Sequence, residues 1–214
     1  MTRERDGLLD LVVIGGGGHA MVVAEAARLA GFDVVGVLDD AGSTDAGRVL
    51  GVRRLGALRD YKNLEDRSWI LGVGDLKLRR SLLDEGLAER AHAASVIHPE
   101  AFVSPSAGYG RGVFVGAHAV LHTNARVGDH AIINTGVIIE HDNEIGANAH
   151  VAPGTALGGA AEVGKDTLLG VGSRVLPKVS IGAGCVVGAG SAVLHDVEAG
   201  GRVAGVPARP LWGG

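Results

Sequence analysis

Residues 133–163 read INTGVI IEHDNE IGANAH VAPGTA LGGAAE V, and each group of six opens on an aliphatic residue: Ile133, Ile139, Ile145, Val151, Leu157 and Val163. The register runs on without insertion in both directions. It begins at Ile97, Val103, Tyr109, Val115, Leu121 and Val127 and continues through Leu169, Val175, Ile181 and Val187 to Val193. Sixteen of these seventeen positions are Val, Ile or Leu, too regular for a chance pattern in a glycine-rich loop. Four residues after each stands a second, mostly small position, among them Ala119, Ala125, Ala131, Ala149, Thr155, Ser173 and Cys185. A helix repeats near 3.6 residues and an amphipathic strand at 2, so six is neither. It is the period of a parallel β-helix, in which one short strand and its turn take six residues. Three such strands close a triangular coil and residues eighteen apart stack. Ile97, Val115, Ile133, Val151, Leu169 and Val187 are therefore expected to form one interior ladder. Small residues suit the second inward position because a narrow prism has no room for two large side chains per strand. The glycines that follow the aliphatic positions, as in Val115-Gly116, Ile145-Gly146 and Val163-Gly164, are assigned to corners, where glycine accepts positive φ at low steric cost.

Composition narrows the class. A net charge of −4 gives no electrostatic case for nucleic acid or a membrane surface. Aromatic residues are only 3 %, so Val, Leu, Ile and Ala must fill the core. No apolar run approaches the roughly 20 residues of a membrane span, and the start MTRERDG lacks the apolar stretch of a secretory leader. The single cysteine, Cys185, falls at an inward small position and reads as a buried filler, with no disulfide possible within the chain. Together these features lead to the expectation of a cytoplasmic protein that binds neither nucleic acid nor membrane.

Residues 1–92 read differently. Leu8 to Ile14 is a buried strand interrupted by Asp10; Gly15-Gly16-Gly17-Gly18-His19-Ala20 follows, then a helical pattern over Met21 to Ala30 and a strand over Asp33 to Leu38 ending at Asp39-Asp40. This order is a βαβ unit, and Gly15-x-Gly17-x-x-Ala20 satisfies the dinucleotide fingerprint. Its physics is that bare backbone N–H groups at a helix N-terminus can approach a phosphate closely. Four glycines in a row also make a permissive turn, and that reading stays open. A further strand is expected over Ser68 to Val73 and a helix from Leu76 to Glu89, whose Lys77, Arg79 and Arg80 read as mostly solvated charges. The domain is too short for both halves of a full dinucleotide fold and suits one nucleotide better.

The chemistry-bearing stretch is Glu140-His141-Asp142-Asn143, followed nine residues after His141 by His150. A neutral imidazole, with an ordinary pKa of about 6.5, can take a proton from an attacking group near neutrality. A neighbouring carboxylate can fix its tautomer. Asn143 also breaks the small-residue rule of the hexads, and a local departure from the fold's own pattern is where function is expected. The bland alternative is that these histidines, with His118, His122 and His130, decorate a solvated face. A zinc site through His118, His122 and His141 is a sharper rival.

Taken together, the small βαβ domain with a G-x-x-G-H turn, the Asp-Asp strand end and the hexapeptide run resemble the hexapeptide-repeat sugar-nucleotide acetyltransferases. That family includes N-acetyltransferases of UDP-, dTDP- and GDP-linked 4-amino-4,6-dideoxy sugars and the related sialic acid O-acetyltransferases. The resemblance covers essentially the whole chain. It implies a Rossmann-like sugar-nucleotide-binding domain over 1–92, a left-handed parallel β-helix over 93–198, and a capping segment over 199–214 near CoA. It also implies a homotrimer with sites between neighbouring subunits. By motif position, Gly17, Gly18, His19 and Asp39 would hold the sugar nucleotide and Asn134 would lie near the acceptor amine. His141 would be the general base and Asp142 its partner. His150, the Gly158-Gly159 backbone and Arg209 would face acetyl-CoA. The spacing H-x3-H-x18-H departs from that of zinc-holding prisms, so no metal is expected. The activity implied is acetyl-CoA-dependent N-acetylation of a nucleotide-linked 4-amino-4,6-dideoxy sugar such as GDP-perosamine, of the kind used in lipopolysaccharide O-antigen biosynthesis. Two alternatives are carried forward: O-acetylation of sialic acid or a related sugar, and a nucleotide-binding module with an inert trimerisation prism.

Overall fold

The computed structural model describes residues 4–5, 8–64 and 67–211. Residues 1–3 and 6–7 of the stretch read as lacking a leader, and residues 212–214 of the expected capping segment, lie outside the described residues. Two compact units divide between Pro99 and Glu100. The compositional boundary at 92/93 falls earlier than this division, because residues 92–94 still pair with a strand of the first unit. Trp69 N–H donates to His92 O at 3.1 Å and Ala94 N–H donates to Trp69 O at 2.8 Å.

The first unit is a mostly parallel sheet with helices. In chain order its main elements are β1 (Glu4–Arg5), β2 (Leu8–Ile14), α1 (Gly18–Leu29), β3 (Phe32–Leu38), α2 (Asp45–Leu50), β4 (Arg54–Gly56), β5 (Ser68–Leu71) and α3 (Leu76–Asp84). β2 pairs in parallel with β3 on one edge and with β5 on the other; β4 pairs with β3, and β1 adds antiparallel to the start of β2. The chain thus leaves β2 in one direction for β3 and β4, then returns to β2's other side for β5. That reversal is a topological switch point, where open α/β sheets bind ligands outside the carboxyl ends of their strands.

Two expectations for this unit need correcting. The last helix is shorter than Leu76 to Glu89: it stops at Asp84, Gly86 takes φ +109°, and a separate 3₁₀ turn covers Leu87–Glu89. Arg79 is not a solvated charge. It is buried on α3 beside Leu82 and Leu83, and its Nη1 donates to Val73 O at 3.0 Å. The three residues lie at i, i+3 and i+4 and so share the helix face that meets the sheet. Burial pushes the Arg79 guanidinium down to about 9.

The second unit is the β-helix. Two-residue strands repeat every six residues and form three faces. One face stacks Phe102–Val103, Val120–Leu121, Ile138–Ile139, Ala156–Leu157, Arg174–Val175 and Ala192–Val193. A second stacks Gly108–Tyr109, Arg126–Val127, Glu144–Ile145, Glu162–Val163 and Ser180–Ile181. A third stacks Phe114–Val115, Ile132–Ile133, His150–Val151, Leu168–Leu169 and Val186–Val187, and is extended by Arg202–Ala204 and Arg209–Pro210. Pairing joins residues eighteen apart, as Ile133 with Val151 and Ile139 with Leu157. The interior ladder is observed from Val115 through Ile133, Val151 and Leu169 to Val187, all fully buried. Each such side chain contributes about 1.5–3 kcal/mol of hydrophobic stabilisation. Cys185 is buried and unpaired by any disulfide, its thiol donating to Glu198 O at 3.1 Å.

The corner geometry differs from the sequence expectation. Positive φ recurs at every sixth residue from Gly112 to Gly190, three positions after the aliphatic residue: His118, Asn124, His130, Asp142, Asn148, Ala160, Asp166 and Lys178 share it with glycines. The glycines directly after the aliphatic residues have another reason. A Cβ at Gly128 would lie 2.6 Å from Ala147 N, and one at Gly170 2.6 Å from Ala189 N. They are small because the next coil's backbone passes directly over them.

Candidate active site

In the first unit the four glycines divide by physical cause. Gly15 has φ +111°, which an L side chain rarely adopts. A Cβ at Gly16 would collide with Thr44. At Gly17 and Gly18 neither reason holds: both have ordinary φ, and a Cβ on either would meet nothing within 4 Å. A permissive turn accounts for the first pair and leaves the second facing open space. Gly17 is the N-cap of α1 and supplies no side chain to its N–H groups, so that end keeps the donors an anion would use. His19, in the first turn, is half-buried and lies beside Gly74 on the loop that follows β5.

Asp39 does more than the sequence suggested. Its Oδ2 accepts the Gly16 N–H at 2.7 Å, and its Oδ1 accepts the Ala41 N–H at 2.8 Å. The carboxylate therefore ties the end of β3 to the glycine turn. Each oxygen retains a lone pair for a hydroxyl or ring N–H of a ligand.

His141 and Asp142 stand at the corner between the face of Ile138–Ile139 and the face of Glu144–Ile145. His141 Nδ1 lies 2.8 Å from Asp142 Oδ2, and the two side chains are 58 % and 52 % exposed. The Asn124 amide donates to the other oxygen, Oδ1, at 2.7 Å. The Asn124 hydrogen bond first, and then the His141 ring, hold the Asp142 carboxyl below its usual range against an opposing desolvation. An ionised carboxylate only accepts hydrogen bonds, so Nδ1 carries the ring proton and Nε2 is left with a free lone pair. Nε2 rests over Gly159, where any Cβ would collide with the ring. Gly159 is thus required by the histidine above it. Among the described residues its N–H meets no acceptor.

Asn143 proves to be interior. It is fully buried, and its Nδ2 donates to Glu140 O at 2.9 Å, Gly158 O at 3.0 Å and His141 O at 3.3 Å. Thr155 and Thr167 bond carbonyls fifteen residues on in the same way. The departure at residue 143 therefore clamps the carbonyls of the His141 corner rather than presenting a group to solvent.

The other expected residues lie elsewhere on the prism. His150 points outward from the third face, with Asn134 Nδ2 3.3 Å from its Nε2. One protomer thus gathers His141, Asp142 and Gly159 at one corner, and Asn134 with His150 on another face. Arg209, exposed, lines a cavity of about 320 Å³ at the C-terminal end of the prism with His195, Arg202 and Pro210. The rival zinc site does not assemble. His118 pairs with Glu100 at 3.4 Å, His122 Nδ1 accepts the Thr123 N–H at 2.8 Å, and no group of three metal-ligating side chains gathers among the described residues. Asn124 is the site residue the sequence reading passed over. Its signal was arithmetic: it lies eighteen residues before Asp142.

The same two-part architecture appears in known proteins. The PglD N-terminal domain family matches residues 10–85, and the bacterial transferase hexapeptide family (six repeats) matches residues 160–195. The perosamine N-acetyltransferase from Caulobacter crescentus, solved as a histidine-to-asparagine variant in complex with CoA and GDP-perosamine, is 38 % identical. The likeness covers 95 % of this chain and 97 % of that one, with a TM-score of 0.88. The chain belongs to the hexapeptide-repeat sugar-nucleotide acetyltransferase family. The acetyltransferase domain of PglB from Neisseria gonorrhoeae, in complex with acetyl coenzyme A, is 34 % identical over 94 % of this acetyltransferase and 98 % of that domain, with a TM-score of 0.86. Over 122 residues the chain is also 29 % identical to an uncharacterized protein of Acanthamoeba polyphaga mimivirus, of whose length it spans about a quarter, 24 %. The two family matches of this sugar-nucleotide acetyltransferase fall one in each unit, so the likeness is not confined to the repeats. No helix among its described residues is long and apolar enough to cross a membrane.

Proposed function

We propose that this protein uses acetyl-CoA to N-acetylate a nucleotide-linked 4-amino-4,6-dideoxy sugar, with GDP-perosamine the leading substrate. The observation that carries the reading is the His141 Nδ1–Asp142 Oδ2 contact of 2.8 Å, which leaves Nε2 unprotonated at an exposed corner. The sugar amine attacks the thioester carbonyl, and His141 Nε2 takes the proton that the nitrogen sheds. Asp142 fixes the tautomer and stabilises the imidazolium that results. The Gly159 N–H is the donor for the developing oxyanion, a contribution on the order of 3 kcal/mol. Collapse expels the CoA thiolate.

Substrate binding is divided among the remaining residues. Gly17, Gly18 and His19 at the α1 N-terminus hold the diphosphate, and Asp39 reads ribose or base. Asn134 orients the acceptor. His150 faces the acetyl carbonyl or CoA, and Arg209 binds CoA phosphate. The outward column His150, Leu168, Val186 and Arg202 offers the pantetheine an apolar track toward the arginines. Because His141 and His150 occupy different parts of one prism, the complete site is formed in a homotrimer, where one subunit's corner meets a neighbour's face.

A thiol-release assay with acetyl-CoA across UDP-, dTDP- and GDP-linked 4-amino sugars tests this. Saturable release with one nucleotide series is expected. Release only with a hydroxyl acceptor such as sialic acid would move the reading to O-acetylation. No release with any acceptor would leave a nucleotide-binding module on an inert prism.

A further inference from the structure

The His141 corner is one rung of a polar ladder that climbs the prism at eighteen-residue spacing. Ser104 Oγ lies 3.1 Å from Ser106 Oγ, Ser106 Oγ accepts the Asn124 N–H at 3.0 Å, and Asn124 Nδ2 donates to Asp142 Oδ1 at 2.7 Å. Asp142 Oδ2 then receives His141 Nδ1 at 2.8 Å. The two oxygens of Asp142 are thus divided between Asn124 below and His141 beside it. We infer that Asn124 is a positioning residue for acetyl transfer: by holding Oδ1 it turns Oδ2 toward His141 and fixes the imidazole with Nε2 outward. The inference rests on the proposed role of His141.

The donor assignment follows from chemistry, since Asp142 is ionised and only the amide nitrogen of Asn124 can face it. The amide also takes up part of the carboxylate's negative charge. Without it, Asp142 would hold the imidazolium more tightly, and its carboxylate would be free to rotate. The charged and titratable groups around the pair are few. Glu140 lies on the same turn, its Oε2 3.4 Å from the His141 N–H. His122 lies on the coil below, where its N–H donates to Ile139 O. The coil above presents Gly159 and Ala160, which carry no charge, and Lys178 follows one coil further.

The fold supplies its own control. Asn148 Nδ2 donates to Asp166 Oδ1 at 2.8 Å at another corner, with Lys165 rather than histidine before the aspartate. Both asparagines have positive φ, +59° and +54°, so Asn→Gly removes the amide without straining the backbone. Asp also occupies such corners at Asp142 and Asp166, so Asn124→Asp keeps the conformation while replacing the donor with a like charge.

The test measures the pH dependence of kcat for Asn124→Gly, Asn124→Asp and Asn148→Gly, with His141→Asn as reference. Asn124→Gly is expected to lose on the order of tenfold in kcat, the low end for a hydrogen bond to a charged group. Its acidic limb should move to higher pH, because an Asp142 carboxylate without the Asn124 donor holds the protonated imidazole more tightly. Asn124→Asp should lose more and move the limb further. Asn148→Gly should leave kcat and its pH profile at parental values. Equal kcat and pH profiles in Asn124→Gly and Asn148→Gly, with His141→Asn inactive, would overturn the inference and leave the His141 role standing. An active His141→Asn would instead remove the reading on which it rests.

Discussion

Asp142 joins three properties: a left-handed backbone with φ +58°, a carboxylate shared between Asn124 and His141, and a proton affinity below that of an ordinary aspartate. A depressed carboxyl stabilises the fold above its unfolded pKa of about 3.9 and loses that contribution as pH falls through its lower folded value. The stability advantage of the parent over Asp142→Asn is therefore expected to be full at pH 7 and to shrink as pH falls below the ordinary carboxylate range. Thermal unfolding of both proteins across that range checks it; an advantage independent of pH would contradict it. At this scale the resemblance made His141 and Asp142 legible, because their order and their spacing to His150 are sequence features. Asn124 was not recognised, since its role exists only when two coils stack. Arg79 was misread because charge type was weighed above position: at i, i+3 and i+4 with Leu82 and Leu83 it had to face inward.

The hexad itself was fully legible, since strand length and corner spacing admit only one stacking of seventeen hexad positions, sixteen of them aliphatic. The reason for its glycines was not, because close approach between coils depends on residues eighteen or nineteen positions away. Gly170 and Gly172 separate the two causes within three residues. At Gly170 a Cβ would sit 2.6 Å from the Ala189 N of the next coil; at Gly172, φ is +68° and nothing lies within 4 Å. Gly170→Ala forces a backbone shift and is expected to cost about 3 kcal/mol, the upper part of the overpacking range. Gly172→Ala meets only left-handed strain, about 1 kcal/mol. Chemical denaturation of the two variants ranks them, and the reverse order would contradict this account of the corners. In the first unit the βαβ core was readable from its apolar runs. The short α2 and β4 were missed because six and three residues are too few to show a period.

For the whole molecule, the proposed site needs assembly, because His141 and His150 stand on different parts of one prism. Sedimentation at micromolar concentration is expected to show a trimer, and a monomer that remains fully active would contradict a site shared between subunits. No feature of the sequence alone shows that separation, because corner and face are assigned only once the coils are closed. The central claim is that the assembled enzyme removes the amine's proton through His141, and the measurement that reaches it most directly is kcat for His141→Asn. The variant should be checked to be folded, assembled and able to bind CoA and the amino sugar. A fall of about 10²–10⁴ in kcat, with both substrates still bound, is the expected result for loss of a positioned general base. Turnover within about threefold of the parent would contradict it, because a general base contributes far more than that.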